Sequence, residues 1–334
     1  MKTLIWIPFL AMGCVTLDPL LPFFNPIHCS EVSEQTCDPD HPKWDETDPD
    51  WDLACVTCDE AYDWSAPHPW RDATLGDEYT DIRGIPEESV ERIPLPIQGG
   101  KELDAYFIDG HGEVAELANT TIVLNHGNFI GMEHYLPRVR YLYELGYNIY
   151  VWDYRGFGKS VPTDPPTLPQ MMSDARDAFV QAESLAPDPD KLIIYGMSIG
   201  GMPAGEMAAK FKGCAQMFEA AYNSVTAKIE TNMALSLPGS FLTSGMAEND
   251  VKLRDTKTPT LIMHSDTDGR IHIDEARRLF KKIPDDTPKE MVVIKGADHG
   301  LGGDRGGIPE QGLAAYGEIM MSFLEANAPG CLAD

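Results

Sequence analysis

A glycine-flanked serine directly after a strand-like run constrains the fold of this chain more than any other feature. The segment Gly196 to Gly200 has the pattern GxSxG and follows the apolar, β-branched run Lys191 to Tyr195. A serine between a strand and a helix lies on a turn so tight that the residues two positions away on either side must lack bulky side chains, which explains Gly196 and Gly200. The pattern therefore predicts a nucleophile elbow with Ser198 at its tip.

A serine hydroxyl becomes a strong nucleophile only when a base removes its proton, and the chain contains nine histidines. His299 follows the last β-like run, Met291 to Ile294, in a glycine-containing loop that can bring its imidazole back over the edge of the sheet. The other histidines fall in the irregular N-terminal stretch, in turns, or within predicted strands and helices. We therefore expect His299 to be the base; the alternative is a surface histidine without a catalytic role.

A carboxylate is needed to orient the imidazole and to balance its charge once it is protonated. Two aspartates, Asp266 and Asp268, follow the predicted strand that ends at His264. Asp268 is the expected acid, because a side chain needs a few residues of loop to reach the neighbouring histidine loop and Gly269 then permits a sharp exit. Asp266 is the alternative acid, and its other role would be to cap the turn.

Attack on a carbonyl places negative charge on its oxygen, which two backbone N–H groups must already face. Ile199, directly after the nucleophile, is expected to supply one of them. The second is expected from Asn128, because the strand-like run Thr121 to Asn125 ends in the sequence His126-Gly127-Asn128. Taken alone, His126 and Gly127 would indicate only a strand-ending turn.

Four motifs together resemble those of α/β-hydrolase superfamily serine hydrolases, in particular the esterase-like branch with little lid. They are Asn125 to Asn128, the DxRGxGxS stretch from Asp153 to Ser160, Gly196 to Gly201, and the pair Asp268 and His299. The order of nucleophile, acid and base along the chain is also that of the superfamily. The resemblance covers roughly Glu91 to Ala328 and implies a mostly parallel, twisted α/β sheet flanked by helices, with no cofactor. One departure is Ser265, where relatives usually have glycine.

Within the second motif, the glycines allow positive φ in a loop beneath the active site. Asp153 and Arg155 are expected to support the site from this loop, with Arg155 fixing it through hydrogen bonds.

The apolar pattern independently favours the same architecture, because strand-length runs alternate with longer periodic segments. Helices are predicted at Met132 to Leu145, Met171 to Leu185, Ile273 to Ile283 and Glu310 to Ala326, and an early strand at Glu102 to Asp109. The one sizeable insertion, Ala221 to Lys257, is either a cover that forms an acyl-binding wall over the serine or the ordinary crossover helix of the fold.

The first residues are typical of an export signal. Lys2 precedes an apolar run, Leu4 to Met12, that is too short to span a bilayer, and small residues then lead to Cys14. We expect residues 1–13 to be a signal peptide of the lipoprotein type, with Cys14 lipidated and the protein attached to the membrane of a bacterial cell envelope. Plain secretion, a retained anchor and no export are the alternatives.

Residues 14–90 are expected to form an acidic segment cross-linked by disulfides, followed by a hydrolase domain at residues 91–334. Setting Cys14 aside leaves six cysteines, an even number that suits an oxidising compartment. Four of them form a cluster that is expected to pair in two disulfides of undetermined connectivity, with zinc ligation as the rival: Cys29, Cys37, Cys55 and Cys58. Cys214 with Cys331 is the third candidate pair.

Charge is distributed unevenly along the chain, whose net charge is −27. Residues 31–90 hold 18 Asp and Glu against 3 Lys and Arg. So acidic a protein is not expected to bind nucleic acid, and its surface favours neutral over polyanionic substrates. No metal site is predicted, because Leu53 stands where the calcium-like loop beginning at Asp48 would need glycine.

These patterns predict an exported serine hydrolase that cleaves small-molecule carboxylic esters through a Ser-His-Asp acyl-enzyme mechanism. A peptidase or thioesterase would share every residue named. The alternative to an enzyme is a non-catalytic surface binding module in which the acidic, cysteine-containing segment is the functional region.

Overall fold

The computed structural model describes residues 84–110, 112, 114–128, 131–161, 166–224, 247–297, 299 and 313–333, without the side chains of residues 133, 134, 137, 313 and 314. The predicted signal peptide, Cys14, the cysteine cluster and nearly all of the acidic segment therefore lie outside the described residues. So does most of the insertion at 221–257, including the part that would distinguish a cover from a crossover helix.

Ten strands and six α-helices make up the described fold. The strands are β1 (Val90–Arg92), β2 (Leu95–Ile97), β3 (Lys101–Leu103), β4 (Ala105–Ile108), β5 (Thr121–Asn125), β6 (Asn148–Trp152), β7 (Leu192–Met197), β8 (Ala215–Glu219), β9 (Thr260–Ser265) and β10 (Lys289–Ile294). The helices are α1 (Leu136–Glu144), α2 (Leu168–Leu185), α3 (Gly201–Lys210), α4 (Asn249–Lys252), α5 (Asp274–Lys282) and α6 (Leu313–Asn327).

Eight strands form one sheet in the order β1-β4-β6-β5-β7-β8-β9-β10, and β2 pairs with β3 separately. Strands β5 to β10 are parallel to one another, whereas β1 and β4 are antiparallel at one edge. The predicted mostly parallel sheet is thus confirmed. From β5 the chain continues to β6 on one side of it and then crosses to β7 on the other side. The direction in which strands are added to the sheet therefore reverses between β5 and β7. In sheets of this type, ligand sites lie at the carboxyl ends of the strands beside such a reversal.

Helices cover both faces of the sheet because successive strand residues point to opposite sides. In β5, Ile122 and Leu124 join a buried cluster with α1 and α6, whereas Val123 joins a second cluster with α2, α3 and α5. All three side chains are almost fully buried. The central strands are therefore continuous apolar runs in the sequence. Their packing on both faces provides a rigid support for the loops that follow their carboxyl ends.

Two element boundaries differ from the sequence prediction for identifiable reasons. The strand predicted at 102–109 is interrupted at buried Asp104, whose backbone N–H donates to Ser160 Oγ (2.8 Å) and whose carboxylate accepts from Arg92 Nε (2.5 Å). Helix α2 begins at Leu168, three residues earlier than predicted, because Thr167 and Gln170 form a reciprocal capping box.

A disulfide joins Cys214, just before β8, to Cys331 near the C-terminal end of the described chain. The predicted pairing of these two cysteines is therefore present in the structure. Thr120 Oγ1 also donates to the carbonyl oxygen of Cys331 (2.5 Å), so this end of the chain is fixed to the start of β5 as well. None of the helices in the described ranges has the length and apolar character needed to cross a membrane.

Candidate active site

Ser198 lies directly after β7, at the first residue of a continuous helical segment formed by the 3₁₀ turn Ser198–Gly200 and α3. Its φ is +52°, and Ala220 is the only other described non-glycine residue with positive φ. Such a conformation costs a non-glycine residue about 1–3 kcal/mol and persists only where surrounding contacts enforce it. One such contact is the backbone N–H of Tyr222, which donates to Ser198 O (2.9 Å).

The two glycines of the pentapeptide are required by close packing around this turn. A Cβ at Gly196 would lie 2.5 Å from Ala204 Cβ and 2.6 Å from Gly200 O. A Cβ at Gly200 would lie 2.5 Å from His126 O and closer still to Asn125 O. The start of α3 can therefore approach the end of β5 only while position 200 carries no side chain.

Gly200→Ala should destabilise the fold by about 3 kcal/mol or more, because backbone carbonyls cannot move aside as flexible side chains can. Gly330→Ala is the control, since a Cβ there would meet no atom within 4 Å. This control should change the free energy of unfolding by less than about 0.5 kcal/mol. Denaturant unfolding of both variants measures the difference, and equal stability of the two would show that the close approach at Gly200 is wrong.

The structure brings the side chains of Ser198, Asp268 and His299 together from the helical segment after β7 and from the loops after β9 and β10. His299 Nε2 lies 3.0 Å from Ser198 Oγ, and His299 Nδ1 lies 2.8 Å from Asp268 Oδ2. Both separations are within hydrogen-bonding distance. Asp266 is placed differently: it is exposed, and its Oδ1 accepts a hydrogen bond from the backbone N–H of Gly296 (2.8 Å).

The Asp268 carboxylate is buried and surrounded by hydrogen-bond donors. Its Oδ1 accepts from the backbone N–H groups of Arg270 and Ile271, both at 2.8 Å. Burial by itself would raise the pKa of Asp268, but hydrogen bonds from His264 and His299 outweigh it and hold the pKa below its usual value. The carboxylate is thus kept ionised, as is required to balance a protonated imidazole.

The loop that carries Asp268 is fastened to the loop that carries His299. The hydroxyls of Ser265 and Thr267 both donate to the carbonyl oxygen of Ala297, two residues before His299. The sequence prediction missed these contacts, and they give a function to Ser265, the departure from the family pattern. The sequence feature that could have indicated these contacts is the pair of hydroxyl residues, Ser265 and Thr267, at the end of an apolar strand-like run.

The loop after β5 passes directly beside the serine. A Cβ at Gly127 would lie 3.3 Å from Ser198 Cβ and would overlap the hydroxyl of Tyr135, so a side chain there would require Tyr135 to shift. Asn128 follows in the same loop. Ile199, directly after Ser198, is the second residue of a helical segment, where a backbone N–H has no partner within the helix. Both predicted oxyanion donors therefore lie on segments adjoining Ser198.

His126 stabilises the loop after β5 through the contacts of its buried ring. Its ring stacks on that of Tyr154, with 4.2 Å between centroids, and its Nδ1 lies 2.8 Å from Gly127 O. Because a carbonyl only accepts, Nδ1 is assigned the proton. Nε2 of His126 lies 3.1 Å from Asp153 Oδ1, but the two atoms are not aligned for a hydrogen bond. Asp153 Oδ1 instead accepts a hydrogen bond from the backbone N–H of Met132 (2.6 Å).

Arg155 anchors the following loop to α2. Its Nε and one terminal nitrogen donate to the two oxygens of Asp174, at 2.6 and 2.8 Å, in a buried bidentate pair. The glycines of the loop, Gly156 and Gly158, have φ of +79° and +50°. Bidentate pairs of this kind fix orientation as well as distance, so the loop behind His126 is held in one position.

A buried polar network lies one strand away from the elbow and was missed by the sequence prediction. Arg138 of α1 donates to Glu219 Oε1 (2.6 Å) at the end of β8, and Tyr195 of β7 donates to Glu219 Oε2. The Tyr195 hydroxyl is also 2.7 Å from that of Tyr316. Since an unpaired buried charge is costly, this network ties α1 and α6 to the strands on which the site is built.

No group of three or more His, Cys, Asp or Glu side chains within the described ranges is arranged to hold a metal ion. The cluster around Ser198 consists of a serine, an imidazole and a carboxylate in hydrogen-bond contact, next to backbone N–H groups at a helix start. Such a cluster is suited to nucleophilic attack on a carbonyl.

Comparison with known proteins is consistent with this arrangement. The family model described as serine aminopeptidase, S33, matches residues 117–243. The uncharacterised protein YfhR of Escherichia coli O157:H7 is 28% identical over 222 residues, which cover 65% of this chain and 76% of that protein. The α/β hydrolase domain-containing protein 17B of Homo sapiens is 26% identical over 190 residues, covering 54% and 61%.

Solved structures show the same fold at lower identity. An esterase of Pyrococcus furiosus superposes with a TM-score of 0.55 at 17% identity, covering 72% of this chain and 93% of the esterase. Pyrococcus horikoshii acylaminoacyl peptidase gives a TM-score of 0.53 at 19% identity, covering 72% of this chain and 41% of the peptidase. Together with the sheet order, the family model and the relatives, these structures identify the chain as a member of the α/β-hydrolase superfamily, with a fold of the esterase-like or peptidase-like kind.

Proposed function

We propose that this protein is a serine hydrolase that cleaves carboxylic esters through an acyl-enzyme intermediate. The observation that supports the proposal most strongly is the continuous hydrogen-bonded row from Ser198 Oγ through the His299 imidazole to the Asp268 carboxylate. The strained φ of Ser198 at a helix start adds to it. A serine with no chemical task would not need a base, an oriented carboxylate and a strained backbone at once.

In the proposed mechanism, His299 Nε2 accepts the proton of the Ser198 hydroxyl as its oxygen attacks the ester carbonyl. Asp268 balances the positive charge that forms on the imidazole. The backbone N–H groups of Ile199 and Asn128 stabilise the oxyanion of the tetrahedral intermediate. His299 then protonates the departing alkoxide, leaving an acylated serine, and the same imidazole activates the water that releases the acid.

A peptidase is the second candidate, because the matching family model is described as an aminopeptidase family and one solved neighbour is an acylaminoacyl peptidase. Both activities would use the same three side chains. The carbonyl of an amide is more strongly stabilised by resonance than that of an ester, so esters are the more reactive substrates for the same three side chains. The net charge of −27 further favours neutral substrates over polyanions.

A substrate series distinguishes the candidates. We expect kcat/KM on p-nitrophenyl esters to exceed that on amino-acyl p-nitroanilides, with both activities lost in Ser198→Ala. Ester chains from two to twelve carbons would locate the preferred acyl length. Faster cleavage of the anilides would reject the ester assignment in favour of the peptidase, and thioester substrates tested in parallel would identify a thioesterase.

We also propose that the protein is exported and anchored through a lipid on Cys14, a residue outside the described structure. The support is the short apolar run before Cys14 in the sequence. In the native host, mass spectrometry should find Cys14 as the lipidated first residue, and Cys14→Ser should release the protein from membranes. An unmodified Cys14 in a membrane-free mature protein would exclude the anchor while leaving the hydrolase assignment intact.

A further inference from the structure

A second histidine contacts the proposed catalytic acid. His264, the fifth of the six residues of β9, is buried, and its Nε2 lies 3.3 Å from Asp268 Oδ2. This is the same oxygen that lies 2.8 Å from His299 Nδ1. His264 does not belong to the predicted row of serine, histidine and aspartate, and the proposed mechanism uses it in no step.

The nitrogen through which His264 donates follows from its partners. Nε2 lies 2.7 Å from the carbonyl oxygen of Ile271, which can only accept, so Nε2 carries a hydrogen. Nδ1 is buried without a hydrogen-bond partner among the described atoms. Nε2–H is therefore the donor that the ring presents to the residues around it. This hydrogen is donated to Ile271 O, and Asp268 Oδ2 lies 3.3 Å from the same nitrogen.

With this contact counted, each oxygen of Asp268 lies close to two nitrogen atoms. Oδ1 accepts from the backbone N–H groups of Arg270 and Ile271, and Oδ2 faces the N–H groups of His264 and His299. A carboxylate has about four acceptor positions. Contacts from β9 and from the loop that carries Asp268 therefore fix the plane of the carboxylate, and the remaining acceptor position of Oδ2 faces His299.

We propose that His264 is a positioning residue of the active site: its Nε2–H, hydrogen-bonded to Ile271 O, lies 3.3 Å from Asp268 Oδ2 and through this contact helps to fix the carboxylate in the orientation that meets His299. This inference rests on the proposed function, in which Asp268 is the acid. The lowered pKa of Asp268, to which the contact with His264 contributes, supports it. A carboxylate that loses this contact is less firmly held and less readily kept ionised beside the imidazole.

The competing interpretation is that His264 only closes the loop between β9 and α5 through Ile271 O. Two variants separate the interpretations. His264→Met removes the donor at similar volume, and His264→Gln places an amide N–H at a similar distance from the main chain. We expect His264→Met to lower kcat about 10- to 100-fold with little change in KM, the range for a lost hydrogen bond to a charged group. His264→Gln should restore most of the loss.

Titration of the Asp268 carboxyl provides a readout that does not depend on catalysis. In protein labelled with ¹³C at the aspartate carboxyl groups, the Asp268 signal is assigned by its disappearance in Asp268→Asn. Its pKa should rise in His264→Met and stay near the wild-type value in His264→Gln. If His264→Met does not fold, His264→Asn replaces it, because its amide is one carbon too short to reach both oxygens.

The inference is overturned if a folded His264→Met protein retains the wild-type kcat and the wild-type Asp268 titration, or if His264→Gln is as impaired as His264→Met in both. If the wild-type protein hydrolyses no ester and is not modified at Ser198, the proposed function fails instead. The carboxyl titration would then still decide whether His264 controls Asp268.

Discussion

Ser198→Ala and His299→Ala should each lower kcat for a p-nitrophenyl ester by about 10⁴- to 10⁶-fold, with little change in KM. In the proposed mechanism the serine forms the bond to the acyl group, and without the imidazole 3.0 Å away its hydroxyl would keep its proton. Because the two residues act as a unit, the double variant should lose little beyond the larger single loss. Steady-state kinetics on purified, folded variants measure all three.

Two matched controls show whether such losses are specific. Ser184 lies exposed on α2 and bonds only within its own helix, to Gln181 O. His272 is exposed before α5 and pairs with Asp274. Ser184→Ala and His272→Ala should retain activity close to that of the wild type. A folded Ser198→Ala protein that keeps more than a small fraction of the wild-type kcat would exclude the acyl-enzyme route.

Asp268→Asn should lower kcat by about 10⁴-fold while leaving the fold intact. An amide in place of the carboxylate can present a donor to His299 Nδ1, which favours the tautomer whose Nε2 carries the hydrogen and cannot accept the serine proton. Asp266→Asn is the control from the same loop, because Asp266 accepts only from backbone N–H at Gly296 and lies at the surface. Larger loss in Asp266→Asn than in Asp268→Asn would reverse the assignment of the acid.

Asp268→Asn should also change how stability depends on pH. The pKa of Asp268 is lower in the folded protein than its unfolded value of about 3.9. The carboxylate therefore contributes stability that is fully present above the unfolded pKa and is lost as pH falls through the lower, folded pKa. Denaturant unfolding at neutral pH and below pH 4 should show a smaller acid-induced loss in Asp268→Asn than in the wild type.

The elbow could be predicted from the sequence because its constraints are local. Backbone carbonyls that crowd position 200 admit only glycine, and this leaves a fixed spacing around Ser198 that is visible without coordinates. The parallel sheet was equally predictable, since strands buried on both faces appear as continuous apolar runs. The proximity of Ser198, Asp268 and His299 followed from chain order and from the meeting of strand ends at one edge.

The support around Asp268 could not be predicted in the same way. His264 sits at the end of an apolar strand, where a histidine is usually a buried residue with no chemical role, and only the path of the loop to Ile271 turns its Nε2 toward the acid. The hydroxyls of Ser265 and Thr267 reach a carbonyl 30 or more residues away in the chain. No periodic pattern encodes contacts between two irregular loops.

Covalent labelling with a fluorophosphonate tests the central claim most directly, because it reports an activated serine whatever the natural substrate is. Peptide mass spectrometry of the labelled wild-type protein should find one phosphonylated residue, Ser198. The adduct should be absent in Ser198→Ala, strongly reduced in His299→Ala and unchanged in His272→Ala. A folded wild-type protein that takes up no label, or takes it up at another residue, would contradict the assignment of Ser198 as the nucleophile.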